Sequence, residues 1–147
     1  MIQSWNGEMT ALVEELQKGG WSCVVGNGTV MRTFSRRGVA DLYDMLHTEP
    51  ELLDGAFIAD KVVGKGAAAL MILGKVSRLH TYIISTPALY LLRKAGVLVG
   101  FDVETEYIIN RDGTGRCPVE TLCDGISEPE EMLPLISDFL AKIRPRL

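Results

Sequence analysis

The chain has 147 residues, of which 47% are hydrophobic and 23% are charged, and its formal net charge is −4. This length and composition fit one globular domain with an ordinary core, and they exclude a disordered or fibrous protein. The acidic balance argues against broad binding to nucleic-acid backbones, since the basic clusters at 36–37 and 142–146 are short and typical of a solvated surface.

The first ten residues lack the basic start and the apolar stretch of a signal peptide. No apolar run approaches the roughly 20 residues that a membrane-spanning helix needs. Three cysteines, Cys23, Cys117 and Cys123, cannot all pair, and a chain of this size needs no disulfides. We therefore expect a cytoplasmic protein with free thiols and no membrane partner.

The predicted elements begin with a helix over residues 4–18, where apolar residues recur at three- and four-residue steps until a Gly-Gly pair ends it. Two β-rich runs then flank Asn27-Gly28, a pair that accepts positive φ at both central positions of a tight hairpin turn. Residues 38–47 predict a short amphipathic helix, and Pro50 begins a turn.

Strand and helix patterns alternate in the middle of the chain. The predicted order is strand 55–60, helix 61–74, strand 78–85, helix 86–96 and strand 97–103. This alternation is typical of adjacent βα units, so it predicts an α/β domain, and the earlier hairpin makes the sheet mixed.

The last part of the chain contains a strand-like run at 107–109, a short helix that begins at Pro118, and a longer helix over about 129–143. No linker, repeat or low-complexity segment interrupts the pattern. We predict a single domain over residues 1–147, with an N-terminal helix in 1–20 and an α/β core in 21–147.

Polar side chains follow two of the predicted strands, where α/β proteins usually bind ligands against helix N-termini. Asp60 is placed to cap the helix that follows it, and Lys61 and Lys65 would then share one face of that helix. Ser85 and Thr86 lie at the second junction. The competing interpretation is a capped helix with a small-residue packing face and two solvated lysines.

Residues 59–66 (ADKVVGKG) also invite comparison with the phosphate-binding motif G-x-x-x-x-G-K-[ST]. Gly64 and Lys65 fit, but Ala59 replaces the first glycine and Gly66 replaces the hydroxyl residue. The predicted helix also already contains Gly64 and Lys65, whereas the motif's loop should precede its helix. We therefore reject a nucleoside triphosphatase.

The segment YIINRDGTGRCPVETLCDG (107–125) gathers charged, turn and thiol residues directly after a strand. Gly113 and Gly115 allow left-handed backbone that can turn several N–H groups toward an anion. Arg111 has a planar guanidinium group that can bind a carboxylate or phosphate through two parallel hydrogen bonds. The alternative is an Asp-Gly turn before a helix, with surface arginines. The residues of this segment that we expect to contact a ligand are Asn110, Arg111, Asp112 and Cys117.

Catalytic and metal-binding groups are hard to find. Cys117 is a weak candidate nucleophile, since a helix N-terminus and Arg116 favour its thiolate, but no general base is identifiable. The spaced Cys and His residues of a zinc site are absent, and His47 and His80 are isolated. We expect no metal and no cofactor.

Three segments, GAFIADKVVGKGAAALMILG (55–74), ISTPALYLLRKAGV (84–97) and YIINRDGTGRCP (107–118), together resemble an uncharacterised prokaryotic family of unknown function with a cytidine-deaminase-like fold. The resemblance covers about 21–143 and implies a three-layer α/β/α sandwich with a mixed sheet. In true deaminases a zinc-binding histidine or cysteine and a catalytic glutamate open one helix, and P-C-x-x-C opens another.

In this chain the first deaminase position falls in the Asp60-Lys61 region, and the second reads TPALY over 86–90, with the proline but no cysteine. The resemblance therefore implies a scaffold without the metal-activated water that deamination requires.

These observations favour a small cytoplasmic protein that binds an anionic molecule, such as a nucleotide or phosphorylated metabolite, at its strand-to-helix junctions. The sequence leaves open whether a reaction is catalysed. The alternative is a non-catalytic regulatory or assembly domain that forms a homo-oligomer through a sheet edge or a helix face near Tyr90 or Trp5.

Overall fold

The computed structural model describes residues 2–36, 39–109, 113 and 115–143, with side chains from residue 7 onward. Its helices are α1 (Ile2–Gly19), α2 (Ala40–Thr48), α3 (Pro50–Leu53), α4 (Lys65–Leu73), α5 (Thr86–Lys94), α6 (Pro118–Leu122) and α7 (Pro129–Ile143). Its strands are β1 (Cys23–Asn27), β2 (Val30–Phe34), β3 (Phe57–Val63), β4 (Arg78–Ser85) and β5 (Leu98–Thr105). The predicted α/β class is confirmed.

The five strands form one mixed sheet in the order β2-β1-β3-β4-β5. β1 is antiparallel to β2 and β3, whereas β3, β4 and β5 are parallel. The parallel strands are connected through α4 and α5, as parallel pairing requires. The carboxyl ends of β3 and β4 therefore lie at the same edge of the sheet, beside the N-terminal ends of α4 and α5.

Two apolar clusters hold the helices against the strands. The larger one joins strand residues such as Ile58 and Leu79 to α2, α4, α5 and α7. The smaller one joins Leu12 and Leu16 of α1 to Ala59 of β3 and a valine of β1. None of the helices that the structure describes combines the length and the apolar surface that crossing a membrane requires.

The hairpin turn lies one residue later than predicted. Asn27 pairs with Val30, so Gly28 and Thr29 are the two central residues, and Gly28 has φ +63°. Asn27 belongs to β1, and its side-chain amide donates to the carbonyl oxygen of Leu52 at 3.0 Å, which connects the hairpin to α3.

The predicted boundary between the strand and the helix near residue 60 is wrong. β3 continues to Val63, and α4 begins at Lys65. Val62 and Val63 pair in register with Ile83 and Ile84 of β4. β-branched residues favour this pleated environment over a helix, and ladder pairing with β4 completes their backbone hydrogen bonds.

Candidate functional site

A buried carboxylate lies where the strand-to-helix turns meet. Glu120 of α6 is only 2% exposed. Its Oε2 accepts hydrogen bonds from the backbone N–H of Lys65 at 3.0 Å and from the hydroxyl of Ser85, and its Oε1 accepts from the N–H of Ile108 at 2.6 Å. A buried charge is costly unless such donors replace water. One side chain therefore joins α4, α5, α6 and the segment after β5.

Two of the three donors belong to helix starts, and the third, the Ile108 N–H, lies between β5 and α6. Lys65 is the first residue of α4, and Ser85 is the N-cap of α5. The first N–H groups of a helix have no intrahelical partner, and they carry partial positive charge. The Ser85 hydroxyl also accepts from the N–H of Ala88 at 3.3 Å, so it caps α5 while it donates to Glu120. Gly64, the N-cap of α4, has no side chain, and Glu120 caps that helix in its place.

Two glycines make room for α6. A Cβ atom on Gly64 would lie 3.2 Å from Oε2 of Glu120 and 3.3 Å from Cγ1 of Ile108. A Cβ atom on Gly66 would lie 2.4 Å from Cγ1 of Val119, which is too close for two carbon atoms. The GKG segment therefore serves close packing against α6.

The expectation that Gly64 and Lys65 lie inside a helix is wrong, since α4 begins at Lys65. They do lie at a helix start, where the motif G-x-x-x-x-G-K-[ST] would hold a phosphate. Here the carboxylate of Glu120 occupies that position. Ala59 and Gly66 remain mismatched with the motif.

Three of the predicted ligand residues lie around this contact. Lys65 is partly buried, and within the described ranges no ion pair involves its ammonium group. Ser85 is fully buried, with its hydroxyl engaged by Glu120. Cys117 is the N-cap of α6 and is partly buried, and its N–H donates to the carbonyl oxygen of Ile108 at 2.7 Å.

Thr86 lies beside Ser85 at the start of α5, but it is exposed. Its hydroxyl donates to Oε2 of Glu104 at 2.8 Å and contacts the carbonyl oxygen of Thr105 at 3.2 Å. Thr86 therefore joins α5 to the end of β5 at the surface.

Asp60 and Lys61 lie within β3 and away from this contact, so Asp60 does not cap α4 and Lys61 shares no helix face with Lys65. A strand rises about 3.3 Å per residue, so Asp60 lies roughly 10 Å along β3 from the residue that ends it. Lys61 donates its N–H to the carbonyl oxygen of Ser22.

Asp60 pairs across the sheet with Cys23. Although part of the residue reaches solvent, its carboxyl group is surrounded by protein, and this burial raises the pKa of Asp60 to about 7. Burial, and then the charge of Asp60, raise the pKa of the Cys23 thiol well above its ordinary value.

Asn110, Arg111 and Asp112 lie outside the described residues. The strand-like run before them forms only an isolated bridge between Ile109 and Arg116. The Arg116 guanidinium lies over the ring of Tyr107, 5.1 Å from its centroid, and 3.7 Å from a carboxylate oxygen of Asp124.

The cysteines near α6 are free thiols. Burial raises the pKa of Cys123 to about 11, although the nearby charge of Lys65 opposes this rise. Within the part of the chain that the structure describes, no three His, Cys, Asp or Glu side chains are grouped as a metal ion would need.

A cavity of about 280 Å³ lies elsewhere, between α1 and the β1–β2 turn. Among its described lining residues Glu8 is the one charged side chain, and Leu12, Met31 and Phe57 supply apolar surface. The described lining of this cavity therefore offers no cation to an anionic ligand.

The profile of the family described as "Domain of unknown function (DUF1893)" matches residues 11–140. The chain belongs to this family. The crystal structure of a DUF1893 family protein from Thermotoga maritima, TM1506, is similar, with a TM-score of 0.82, 24% sequence identity, and coverage of 89% of this chain and 88% of that chain. At this identity the likeness shows the fold alone. The chain matches no curated protein.

Glu120 is the residue of this DUF1893 chain that sequence reasoning missed. An acidic residue in the first turn of a helix is an ordinary feature, so VETL after Pro118 carries no visible signal. The uncapped helix start at Gly64-Lys65 was no hint either, because the sequence placed the start of that helix at residue 61, with Asp60 as its cap.

Proposed function

We propose that the chain binds a small anionic molecule, a nucleotide or another phosphorylated metabolite, at the rim around the Glu120 contact. The observation that carries the proposal is that this contact gathers the start of α4, the start of α5 and the segment before α6. Lys65, Thr86 and Cys117 consequently lie along one edge of the sheet. Asn110, Arg111 and Asp112 stay in the proposal as residues of the same segment.

The buried carboxylate decides which groups would hold such a ligand. Glu120 already accepts from the N–H groups of Lys65 and Ile108, so those donors are not free for a ligand. Its negative charge also opposes a second anion nearby. Binding would therefore depend on side-chain cations, and the Lys65 ammonium at the start of α4 is the described candidate that we test.

We infer that the fold is a single, three-layer α/β/α domain of the cytidine-deaminase-like type, without zinc and without deaminase activity. The neighbouring residues Val24 and Val25 point to opposite faces of β1 and belong to different apolar clusters, which supports helices on both faces. The TPALY segment at the start of α5 lacks thiolate ligands, which supports the loss of the zinc chemistry.

A thermal-shift screen with nucleotides and phosphorylated metabolites tests the anionic-ligand proposal. A ligand at 100 times its Kd stabilises the folded state by about 2.7 kcal/mol, which raises Tm by several degrees. Lys65→Gln should remove this shift and leave the Tm of the free protein nearly unchanged, because its backbone N–H still reaches Glu120.

Lys61→Gln is the matched control, since Lys61 is also partly buried but lies in β3. It should keep the ligand shift. The proposal fails if no anionic compound raises Tm, or if the two lysine variants lose the shift equally.

A second candidate function, self-association, is favoured by an exposed apolar row. Val62, Ile83 and Val103 lie in register across β3, β4 and β5 and are 43%, 37% and 53% exposed. Contiguous exposed apolar surface is typical of protein interfaces. Tyr90 on α5, 68% exposed, offers a separate helix face, whereas the side chain of Trp5 lies outside the described ones.

Sedimentation of the purified protein at micromolar concentrations tests self-association. The wild type should form a dimer, and Ile83→Lys should convert it to a monomer by burying a charge in the interface. Tyr90→Ala should leave the dimer intact. A wild type that is monomeric throughout the concentration range would remove this candidate.

A further inference from the structure

We propose that Glu120 is an internal ligand: its carboxylate occupies an anion site formed by the Lys65 N–H at the start of α4, the hydroxyl of Ser85 at the start of α5 and the Ile108 N–H, and thereby closes that site to anions from solution. This goes beyond the proposed function, because the groups involved are buried and differ from the side chains of the rim.

The donors come from three segments that are distant in sequence. Lys65 is separated from Glu120 by 55 residues, Ser85 by 35 and Ile108 by 12. The two backbone donors lie 3.0 Å and 2.6 Å from the carboxylate oxygens, lengths that suit charge-assisted hydrogen bonds. Backbone N–H groups and a hydroxyl that converge on one point, one of them at a helix N-terminus, form an arrangement with which proteins bind carboxylates and phosphates.

The short helix α6 delivers the carboxylate. The N–H of Cys117, directly before α6, donates to the carbonyl oxygen of Ile108, and Val119 packs into the space above Gly66. These contacts hold the backbone of α6 close to the start of α4. Glu120 therefore reaches the donors without extending across solvent.

The site has no spare room. A Cβ atom on Gly64 would already crowd Oε2 of Glu120, and Ile108 and Val119 are buried around the carboxylate. An anion from solution would have to displace Glu120 to reach these donors. In the wild type the donors are thus committed to one partner.

The proposal has a specific chemical consequence. Glu120→Ala removes Cγ and the carboxylate and leaves the three donors in place. Acetate has the methyl carbon and the carboxylate that the variant lacks, so it should fill the vacancy. Glu120→Gln keeps the volume of the side chain, so it should leave no vacancy for acetate.

The experiment compares sodium acetate with sodium chloride, at equal ionic strength and pH 7, by thermal denaturation of the full chain. Acetate at ten times its Kd should raise the Tm of Glu120→Ala by about 4 °C over chloride, with a saturable dose response. The wild type, Glu120→Gln and Glu131→Ala, which loses an exposed glutamate of α7, should show no acetate-specific rise.

Equal Tm values of Glu120→Ala in acetate and chloride would overturn the proposal, as would an equal rise in Glu120→Gln. If Glu120→Ala is unfolded after purification, the circular dichroism signal of its helices is titrated with each salt. Acetate should then restore the folded signal by mass action. A signal that acetate does not restore, or that chloride restores equally well, would also overturn the proposal.

Discussion

At the scale of single residues, two buried carboxyl groups show how hydrogen bonds offset the cost of desolvation to different extents. Glu120 accepts hydrogen bonds at both oxygens, two of them from backbone N–H groups. Asp60 accepts from the N–H of Val62 at 3.3 Å and lies against a thiol. Desolvation then outweighs the hydrogen bonds of Asp60, and its pKa rises to about 7.

The raised pKa of Asp60 predicts a pH-dependent stability. The folded protein holds this proton up to about pH 7, whereas the unfolded chain releases it near 3.8. The free energy of unfolding should therefore fall as pH rises from about 4 to 7 and stay low above that. Asp60→Asn cannot ionise, so at pH 8 it should be more stable than the wild type by about 1–2 kcal/mol, after allowance for partial solvent access.

Urea denaturation of both proteins at pH 5, 6, 7 and 8 measures this difference. Asp54→Asn, which changes an exposed carboxylate, should keep the wild-type profile. Parallel profiles for the wild type and Asp60→Asn would show that Asp60 does not titrate in this range.

Gly66 provides a packing prediction. Gly66→Ala places a Cβ atom 2.4 Å from Cγ1 of Val119, so either the Val119 side chain or the packing of α6 against α4 must shift. The free energy of unfolding should fall by about 1–3 kcal/mol, the usual cost of overpacking. Gly7→Ala, in α1 with open space around the new methyl group, should instead be neutral or stabilising. A Gly66→Ala variant as stable as the wild type would contradict the close approach of α6.

At the scale of helices and strands, local patterns predicted most of the fold. β4 coincides with the predicted strand, and α5 and α7 begin at their predicted residues, because period, proline and capping signals are local. The end of β3 was not predictable in this way, since Val62 and Val63 are fixed by pairing with β4. The contact of Glu120 was also invisible, because it joins residues far apart in sequence.

In the candidate site, too, the features with local sequence signals were predictable and those fixed by tertiary contacts were not. The sequence predicted that Ser85 and Cys117 occur near helix starts but placed Lys65 inside a helix, and the structure brings all three around one carboxylate. It misplaced Asp60 and Lys61, because their position depended on where β3 ends. Sequence spacing identifies a strand-to-helix junction, but the residue that hydrogen-bonds to it, Glu120, is brought there by the tertiary fold.

The start of α5 provides a stability prediction at the scale of helices and strands. Ser85→Ala removes the cap of α5 and one donor to the buried Glu120, so unfolding should become easier by about 2 kcal/mol. Thr86→Ala, which removes an exposed hydroxyl one residue later, should cost less than about 0.5 kcal/mol. Urea midpoints of the two variants test this, and equal losses would contradict the special role of Ser85.

At the scale of the whole molecule, the account depends on three connecting segments that meet at Glu120. The turn between β3 and α4, the turn between β4 and α5, and the segment between β5 and α6 all contact Glu120. This contact defines the rim at which an anionic ligand is proposed, and the close approach of α6 that it requires leaves little space for a side chain at Gly64 and Gly66.

Amide hydrogen exchange, followed residue by residue in the wild type and in Glu120→Gln, tests this convergence most directly. The account predicts that the Lys65 and Ile108 amides are protected in the wild type, and that at least one of them exchanges about tenfold faster in the variant, whose side-chain amide keeps a single acceptor oxygen. The Val76 amide, bonded to the carbonyl oxygen of Met71, should keep its rate. Unchanged exchange at Lys65 and Ile108, or equal acceleration at Val76, would contradict the claim that Glu120 joins these segments.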